Sequence, residues 1–269
     1  MKFVLSRKGA DSQFGGKPSP VLMDGTMLSL PIPERNTSGV VFDTNRQFEE
    51  LNLRGFSGGS GYCHLDPDIR KDLYKSAPEN WLPLFGQCDA AQSHLTNNGI
   101  GVGDVFLFFG WFQKVDERFN YIDKPFHALW GYMQIKNVIS SKDRILEYSW
   151  HPHAKERYLS SSNNTLYVGS ERLSFGDGTL PGYGTFKWND LLAFTKEDSD
   201  YLTHWDYEAL PWVDKELKQS NMTYHTAESN FLPDYFQIAD RGQEFVISED
   251  KSPVVEKRLL EILQKDRKQ

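Results

Sequence analysis

The stretch from Gly99 to Val138 constrains the fold more than any other part of this sequence. It contains a Gly-Asp pair, Gly103-Asp104, followed by an apolar run from Val105 to Phe112. Apolar residues at successive positions give a strand two apolar faces, which indicates burial between two layers. After a polar loop, residues 127–138 alternate between apolar and polar and predict a second strand. Together the two segments predict a long β-hairpin at the centre of a sheet.

The rest of the chain predicts a mixed α+β architecture around this hairpin. The segment from Lys2 to Ser6 is typical of a buried first strand, and Asp24-Gly25 suits a tight hairpin turn. Residues 89–98 have the composition of a short helix, and apolar residues after Pro253 recur at helical spacing, which predicts a C-terminal amphipathic helix. We expect a single domain over residues 1–269, with peripheral helices around a barrel-like mixed sheet. Its hairpin core is similar to the PUA-like barrels (EVE and ASCH domains) that hold nucleobases.

Charge and cysteine usage exclude several kinds of protein. The formal net charge is −7, whereas a protein that coats duplex phosphates carries a basic stripe. We therefore expect no broad basic DNA-binding surface, although a local pocket for one base or nucleotide is compatible with this charge. Cys63 and Cys88 have no metal-binding spacing, and no segment is apolar enough for a signal peptide or a membrane span. The expectation is a cytoplasmic protein with free thiols.

Two pairs of potential metal ligands stand two residues apart. His64 pairs with Asp66, and His151 pairs with His153. On a strand each pair would share a face, and the four together could chelate a divalent transition metal. A proline follows Asp66 and another separates the two histidines, which indicates loops and favours histidines bonded to backbone groups instead. Both interpretations stay open at this point.

Basic residues directly after the first strand form a second candidate group. Arg7 and Lys8 could clamp a phosphate, and Asp11 could act as a general base or hold the lysine. An ordinary surface loop with a salt bridge explains the pattern equally well.

A third group surrounds the central hairpin. The carboxamides of Gln87 and Gln92 could read base edges, with Trp111 as a stacking face and His127 beside it. Aromatic residues make up 14% of the chain, enough to fill a β-core and also to line such a pocket. The signatures of common serine hydrolases, zinc deaminases and kinases do not occur.

Several different short motifs, rich in polar and aromatic residues, are distributed along almost the whole chain. They are Ser6-Arg-Lys-Gly-Ala-Asp-Ser12, Pro18-Ser-Pro20, Ser29-Leu-Pro-Ile-Pro33, His64-Leu-Asp-Pro-Asp68, Phe85-Gly-Gln87 with Ala90-Ala-Gln-Ser-His94, the run from Gly101 to Phe112, Trp150-His-Pro-His153, Asn164-Thr-Leu-Tyr167 and Arg241-Gly-Gln-Glu-Phe245. In this combination they resemble the nucleotide modification associated domain 3 family. The matches to the family's polar motifs are Lys8, Asp11, His64, Asp66, Gln87, Gln92, His151 and His153. Ala10 departs from the larger residue expected there.

The resemblance implies a part in making or handling modified nucleic-acid bases in bacteria or phages, with a nucleotide or base as partner. One hypothesis is an enzyme in which Lys8 clamps phosphate while Asp11, His64 and Asp66 supply acid/base groups or metal ligands. The alternative is a non-catalytic PUA/EVE-like reader that holds a modified base with its tryptophan, glutamine and histidine side chains. The number of polar motifs of both charge signs favours the enzyme, with its reaction class open.

Overall fold

The computed structural model describes residues 1–10, 16–33, 46–47, 62–240, 242 and 244–267. Two small sheets and four α-helices accompany one large sheet within this part of the chain. The strands are β1 (Phe3–Arg7), β2 (Ser19–Val21), β3 (Ile32–Pro33), β4 (Arg46–Gln47), β5 (Tyr62–His64), β6 (Leu84–Gln87), β7 (Val105–Val115), β8 (Tyr121–Ile139), β9 (Thr165–Gly169), β10 (Tyr183–Thr185), β11 (His204–Trp205), β12 (Phe236–Gln237) and β13 (Glu244–Ile247). The helices are α1 (Asp89–Asn97), α2 (Lys142–Leu146), α3 (Glu156–Leu159) and α4 (Ser252–Asp266).

The predicted central hairpin is formed by β7 and β8. The two strands pair antiparallel from Val105 opposite Gln134 to Val115 opposite Tyr121, with irregularities after Phe108 and after Phe112. Every residue from 105 to 109 is buried, as expected for a strand covered on both faces. Asp116 stabilises the connecting turn, because its carboxylate accepts the backbone N–H groups of residues 118 and 120. The hairpin prediction is confirmed.

The Gly-Asp pair before β7 joins this hairpin to the first strand. The Asp104 carboxylate accepts the backbone N–H of Lys2 at 2.6 Å and that of Gly101 at 2.9 Å. These bonds align β1 parallel to β7, with Phe3 opposite Val105. The short side chain of Asp104, directly before β7, therefore sets the register of β1 on β7.

The large sheet is curled into a half-barrel. Its strand order is β13-β1-β7-β8-β9-β6, with β2 added to β7 and β10 added to β8. Although β6 is three strands away from β7 in this order, the Phe85 ring of β6 lies 4.7 Å from Phe106 and 5.5 Å from Phe108 on β7. The curl therefore folds one edge of the sheet over its centre. The α+β class with a barrel-like sheet is confirmed, and the closer likeness to PUA-like barrels stays a prediction.

The C-terminal amphipathic helix is α4, which begins at Ser252 directly before Pro253. Its buried side chains Val255, Leu259 and Ile262 recur at helical spacing and pack into the main core. None of the helices in the described ranges is long and apolar enough to cross a lipid bilayer.

Two connections bring polar residues to the β6 edge of the sheet. The loop after β5 is tied to the start of β6, because Asp68 and Leu84 exchange both backbone hydrogen bonds at 2.8 and 2.9 Å. The short 3-10 helix Pro152–Ala154 packs beside the same strand through Ala154, which belongs to a small apolar cluster with Leu84. Residues 64–68 and 151–153 therefore meet, although about 85 residues separate them in sequence.

Candidate metal centre

Asp66 lies at the centre of the first cluster of functional side chains. Its side chain is 5% exposed, and its Oδ1 accepts the backbone N–H of Gly86 at 2.9 Å. Three imidazole nitrogens surround the carboxylate. The Nε2 atoms of His64 and His153 lie 3.4 and 3.5 Å from Oδ2, and Nε2 of His151 lies 3.5 Å from Oδ1. Both pairs of metal-ligand residues named from the sequence are therefore brought together.

Three of these residues form a group that can hold a metal ion. Among the described residues, ligand atoms of His64, Asp66 and His153 all lie within 4.8 Å of one another. Two imidazole nitrogens and one carboxylate oxygen are a donor set suited to a divalent transition metal. Three protein ligands also leave coordination positions for water or substrate.

The far nitrogen of each of these two histidines is held by a second side chain. Asn164 donates its Nδ2 to the carbonyl oxygen of His153 at 2.9 Å, so its Oδ1 is the acceptor for His153 Nδ1–H at 2.6 Å. The Nδ1 of His64 lies 3.0 Å from the Tyr158 hydroxyl, whose ring also stacks on His153 with centroids 4.3 Å apart. Outer partners of this kind fix the tautomer of a metal-binding histidine. In His153 the bond from Nδ1–H leaves the Nε2 lone pair facing Asp66.

His151 is oriented differently. Its Nδ1 accepts the backbone N–H of His153 at 3.2 Å, so in the neutral ring the hydrogen is on Nε2. That Nε2 is buried and faces Asp66 Oδ1 at 3.5 Å, too far for a good hydrogen bond. This tautomer makes His151 a donor toward Asp66, whereas a metal ligand needs a free lone pair.

Burial and hydrogen bonding set the charges of this cluster. Burial alone would raise the pKa of Asp66, but its contacts with the imidazoles of His151, His153 and His64 hold it well below its ordinary value. Burial lowers the pKa of His151 to about 4, although the neighbouring Asp66 opposes that shift. At neutral pH the cluster therefore contains an ionised carboxylate beside a neutral His151 ring.

Gly86 is the backbone position that makes room for this cluster. A Cβ added there would lie 2.3 Å from Cδ2 and 2.7 Å from Nε2 of His153. The absence of a side chain therefore lets β6 approach the imidazole while its N–H binds Asp66.

The second polar cluster lies at the same edge of the sheet and contains Lys8 and Gln87. Lys8 Nζ lies 3.0 Å from Glu244 Oε1, and Gln87 donates its Nε2 to the same oxygen at 2.7 Å. The lysine side chain is 9% exposed and that of Glu244 is 1% exposed. Glu244 Oε2 has no hydrogen-bond partner in the described part of the chain. Lys8 is therefore neutralised by a buried carboxylate from β13.

The other basic and acidic candidates of the first strand lie apart from this cluster or outside the described residues. Arg7 donates Nη1 and Nη2 to the carbonyl oxygens of Asp240 and Ala239 at 2.6 and 2.9 Å. Asp11 lies outside the described residues.

The residues predicted to hold a base are placed mainly in the core. Gln92 is buried on α1, where it bonds to the Thr96 hydroxyl and accepts the Tyr167 hydroxyl, both at 3.1 Å. His127 is buried on β8 and accepts the Trp205 indole N–H at 3.1 Å. Trp111 is half-buried opposite His127 in the β7–β8 register. Within the described ranges, no hydrogen bond or ring contact joins Gln92 to the other two.

Sequence reasoning missed the residues that organise these clusters. Asn164, Glu244 and Gly86 all stand inside motifs quoted from the sequence, but the motifs gave no sign of these roles. Tyr158 lies outside every quoted motif, and nothing local signals its contact with His64.

Comparison with known proteins gives one match. A family model described as nucleotide modification associated domain 3 matches residues 2–248. No curated protein and no solved structure matches the chain. The matched range contains every residue of both polar clusters.

Proposed function

The chain belongs to the nucleotide modification associated domain 3 family, and from this premise we propose that it is a metal-dependent enzyme acting on a nucleotide or a nucleic-acid base. His64, Asp66 and His153 hold the metal in this proposal. The observation that carries it is the convergence of their three ligand atoms within 4.8 Å. The orientation of His153 by Asn164 supports it, because such a bond prepares Nε2 as a ligand.

The two separations from Asp66 Oδ2 are compatible with a tetrahedral site. Bonds of about 2.0–2.2 Å place two ligand atoms about 3.3–3.6 Å apart at the tetrahedral angle, but only about 2.8–3.1 Å apart at a right angle. The observed separations from Asp66 Oδ2 are 3.4 Å to His64 and 3.5 Å to His153. Zinc is the ion that most commonly takes three such ligands with one open position. At that position it would activate a water or polarise a substrate oxygen.

The residues around the three ligands have supporting roles in this proposal. The Gly86 N–H, bonded to Oδ1, keeps the Asp66 carboxylate turned so that Oδ2 faces the two ligating histidines. The Nε2–H of His151 faces the same oxygen at 3.5 Å. Tyr158 and Asn164 fix the two imidazole rings.

The non-catalytic reader is less well supported. Of its three proposed affinity residues, Trp111 is half-buried, whereas Gln92 and His127 are buried and their polar atoms already have partners inside the protein. A base-reading side chain needs polar groups that are available to the ligand.

Elemental analysis of protein purified without chelator tests this proposal. We expect about one equivalent of zinc or another divalent transition metal in the wild type, and loss of most of it in Asp66→Asn. Asp116→Asn, in the β7–β8 turn, is the matched control and should keep its metal. Hydrolysis or modification of nucleotides should then depend on the metal. A folded wild-type protein that takes up no metal even when zinc is supplied would contradict the proposal.

A further inference from the structure

We infer that Arg70, in a cleft beside the candidate metal centre, binds a phosphate group of the substrate. This inference rests on the proposed function and names the part of the nucleotide that the site recognises. The described walls of the cleft include His64 and Asp66 together with Arg70 and Trp130. The cleft is small and open to solvent.

The basic residues after the first strand are engaged elsewhere. Lys8 is paired with the buried Glu244, and Arg7 donates to two backbone carbonyl groups. Among the described residues that line the cleft next to the metal ligands, Arg70 is the one with a permanent positive charge. A phosphate in this cleft would therefore meet its guanidinium group.

The Arg70 guanidinium is held along one edge. Its Nε and Nη2 donate to the two carboxylate oxygens of Asp72. Among the described residues its Nη1 has only the Met27 carbonyl oxygen, at 3.5 Å, which is at the limit of a hydrogen bond. The Asp72 side chain is 65% exposed, whereas that of Arg70 is 16% exposed. The carboxylate thus anchors the guanidinium from the solvent side and leaves Nη1 for a ligand.

Trp130, which lines the same cleft, has an unused donor. The indole Nε1 of Trp130 is buried and has no hydrogen-bond partner in the described ranges. An unpaired buried N–H is costly, and a phosphate oxygen is the kind of acceptor that would satisfy it. The other described walls, such as Leu30, Leu65 and Leu73, are apolar and would strengthen the attraction between a phosphate and the guanidinium.

Two substitutions with opposite expected effects test this inference. Isothermal titration of chelator-treated protein with deoxycytidine 5′-monophosphate and with inorganic phosphate measures binding without any contribution from a metal. Arg70→Gln should weaken both about tenfold or more, because a charge-assisted bond is lost. Asp72→Asn should strengthen both several-fold, because it removes a negative charge that repels phosphate and keeps an amide oxygen that can still accept from the guanidinium. Arg118→Gln, at the exposed β7–β8 turn, is the control and should leave both affinities unchanged.

A short single-stranded oligonucleotide without terminal phosphates distinguishes the two sources of phosphate. Arg70-dependent binding of this oligonucleotide would identify a backbone phosphate, and Arg70-dependent binding of the mononucleotide alone would identify a free nucleotide. Either result supports the inference. Equal affinities in Arg70→Gln and Arg118→Gln, weaker binding in folded Asp72→Asn, or no phosphate binding by the wild type would overturn it. Because no metal is present, these results are independent of whether the metal centre exists.

Discussion

Gln87 donates its Nε2 to Glu244 Oε1 at 2.7 Å, although the two residues lie on β6 and β13, the opposite ends of the strand order of the large sheet. Lys8 binds the same oxygen at 3.0 Å. The curl of the sheet is therefore closed at this point by side chains, with one buried carboxylate shared between a carboxamide and an ammonium group.

This closure predicts a large loss of stability when Glu244 is removed alone. Glu244→Leu leaves the nearly buried Lys8 charge without its partner, which costs about 3–5 kcal/mol in comparable cases. The double variant Lys8→Met with Glu244→Leu removes both charges and should recover much of that loss. Urea unfolding of the wild type, both single variants and the double variant measures the coupling. A double variant less stable than Glu244→Leu would contradict this account of the closure.

The contact between Asn164 and His153 predicts an effect on metal affinity. Asn164→Ala removes the acceptor for Nδ1–H and frees the ring to rotate, which should weaken zinc binding about 10- to 100-fold. Asn163→Ala is the matched control, because its side chain bonds to Asp89 and Ser93 on α1 and does not contact the histidine. Competition with a chromophoric chelator gives both affinities. Equal affinities in the two variants would show that Asn164 does not orient a ligand.

The close approach of Gly86 to His153 predicts a steric effect of any side chain at position 86 on that imidazole. In Gly86→Ala the new methyl group would lie 2.3 Å from a ring carbon of His153, so the ring must move away from Asp66. We expect loss of metal binding together with lower stability. Gly101→Ala is the control, since a Cβ there meets nothing within 4 Å. Metal content and thermal unfolding of both variants test this, and a Gly86→Ala protein with full metal content would refute the steric argument.

The lowered pKa of the buried His127 predicts part of the loss of stability at acid pH. Burial and the charge of Arg7 lower its pKa to about 3, whereas an unfolded histidine titrates near about 6.5. Between these pH values the unfolded chain binds the extra proton, so the stability from this residue is complete above about pH 6.5 and is lost as pH falls toward 3. The slope from one proton is at most about 1.4 kcal/mol per pH unit. Denaturant unfolding at several pH values should show a smaller slope in His127→Gln than in the wild type, and equal slopes would contradict the assignment.

The parts of the fold that depend on local patterns could be predicted from the sequence. The β7–β8 hairpin and α4 have repeats of apolar residues that allow only one kind of buried element, and both are present. The closure of the sheet could not be predicted, because Gln87 and Glu244 are 157 residues apart and neither has a local signal of pairing.

The candidate site also has parts that the sequence predicts and parts that depend on long-range packing. The spacing of His64 and Asp66 predicted two of the proposed metal ligands. The preference for His153 over His151 depends instead on the buried Asn164, which orients His153, and on the backbone N–H of His153, which binds His151. Lys8 follows a buried strand, which suggested a phosphate clamp, yet its partner Glu244 lies 236 residues further along the chain. Long-range packing therefore decides which cations are available to a ligand.

Anomalous diffraction from a crystal of the zinc-loaded protein, recorded at the zinc absorption edge, tests the metal centre most directly. The account predicts one strong anomalous peak within about 2.0–2.2 Å of His64 Nε2, an Asp66 carboxylate oxygen and His153 Nε2, with tetrahedral angles between them. An anomalous map without a peak among these three residues, or with zinc bound only elsewhere, would contradict it.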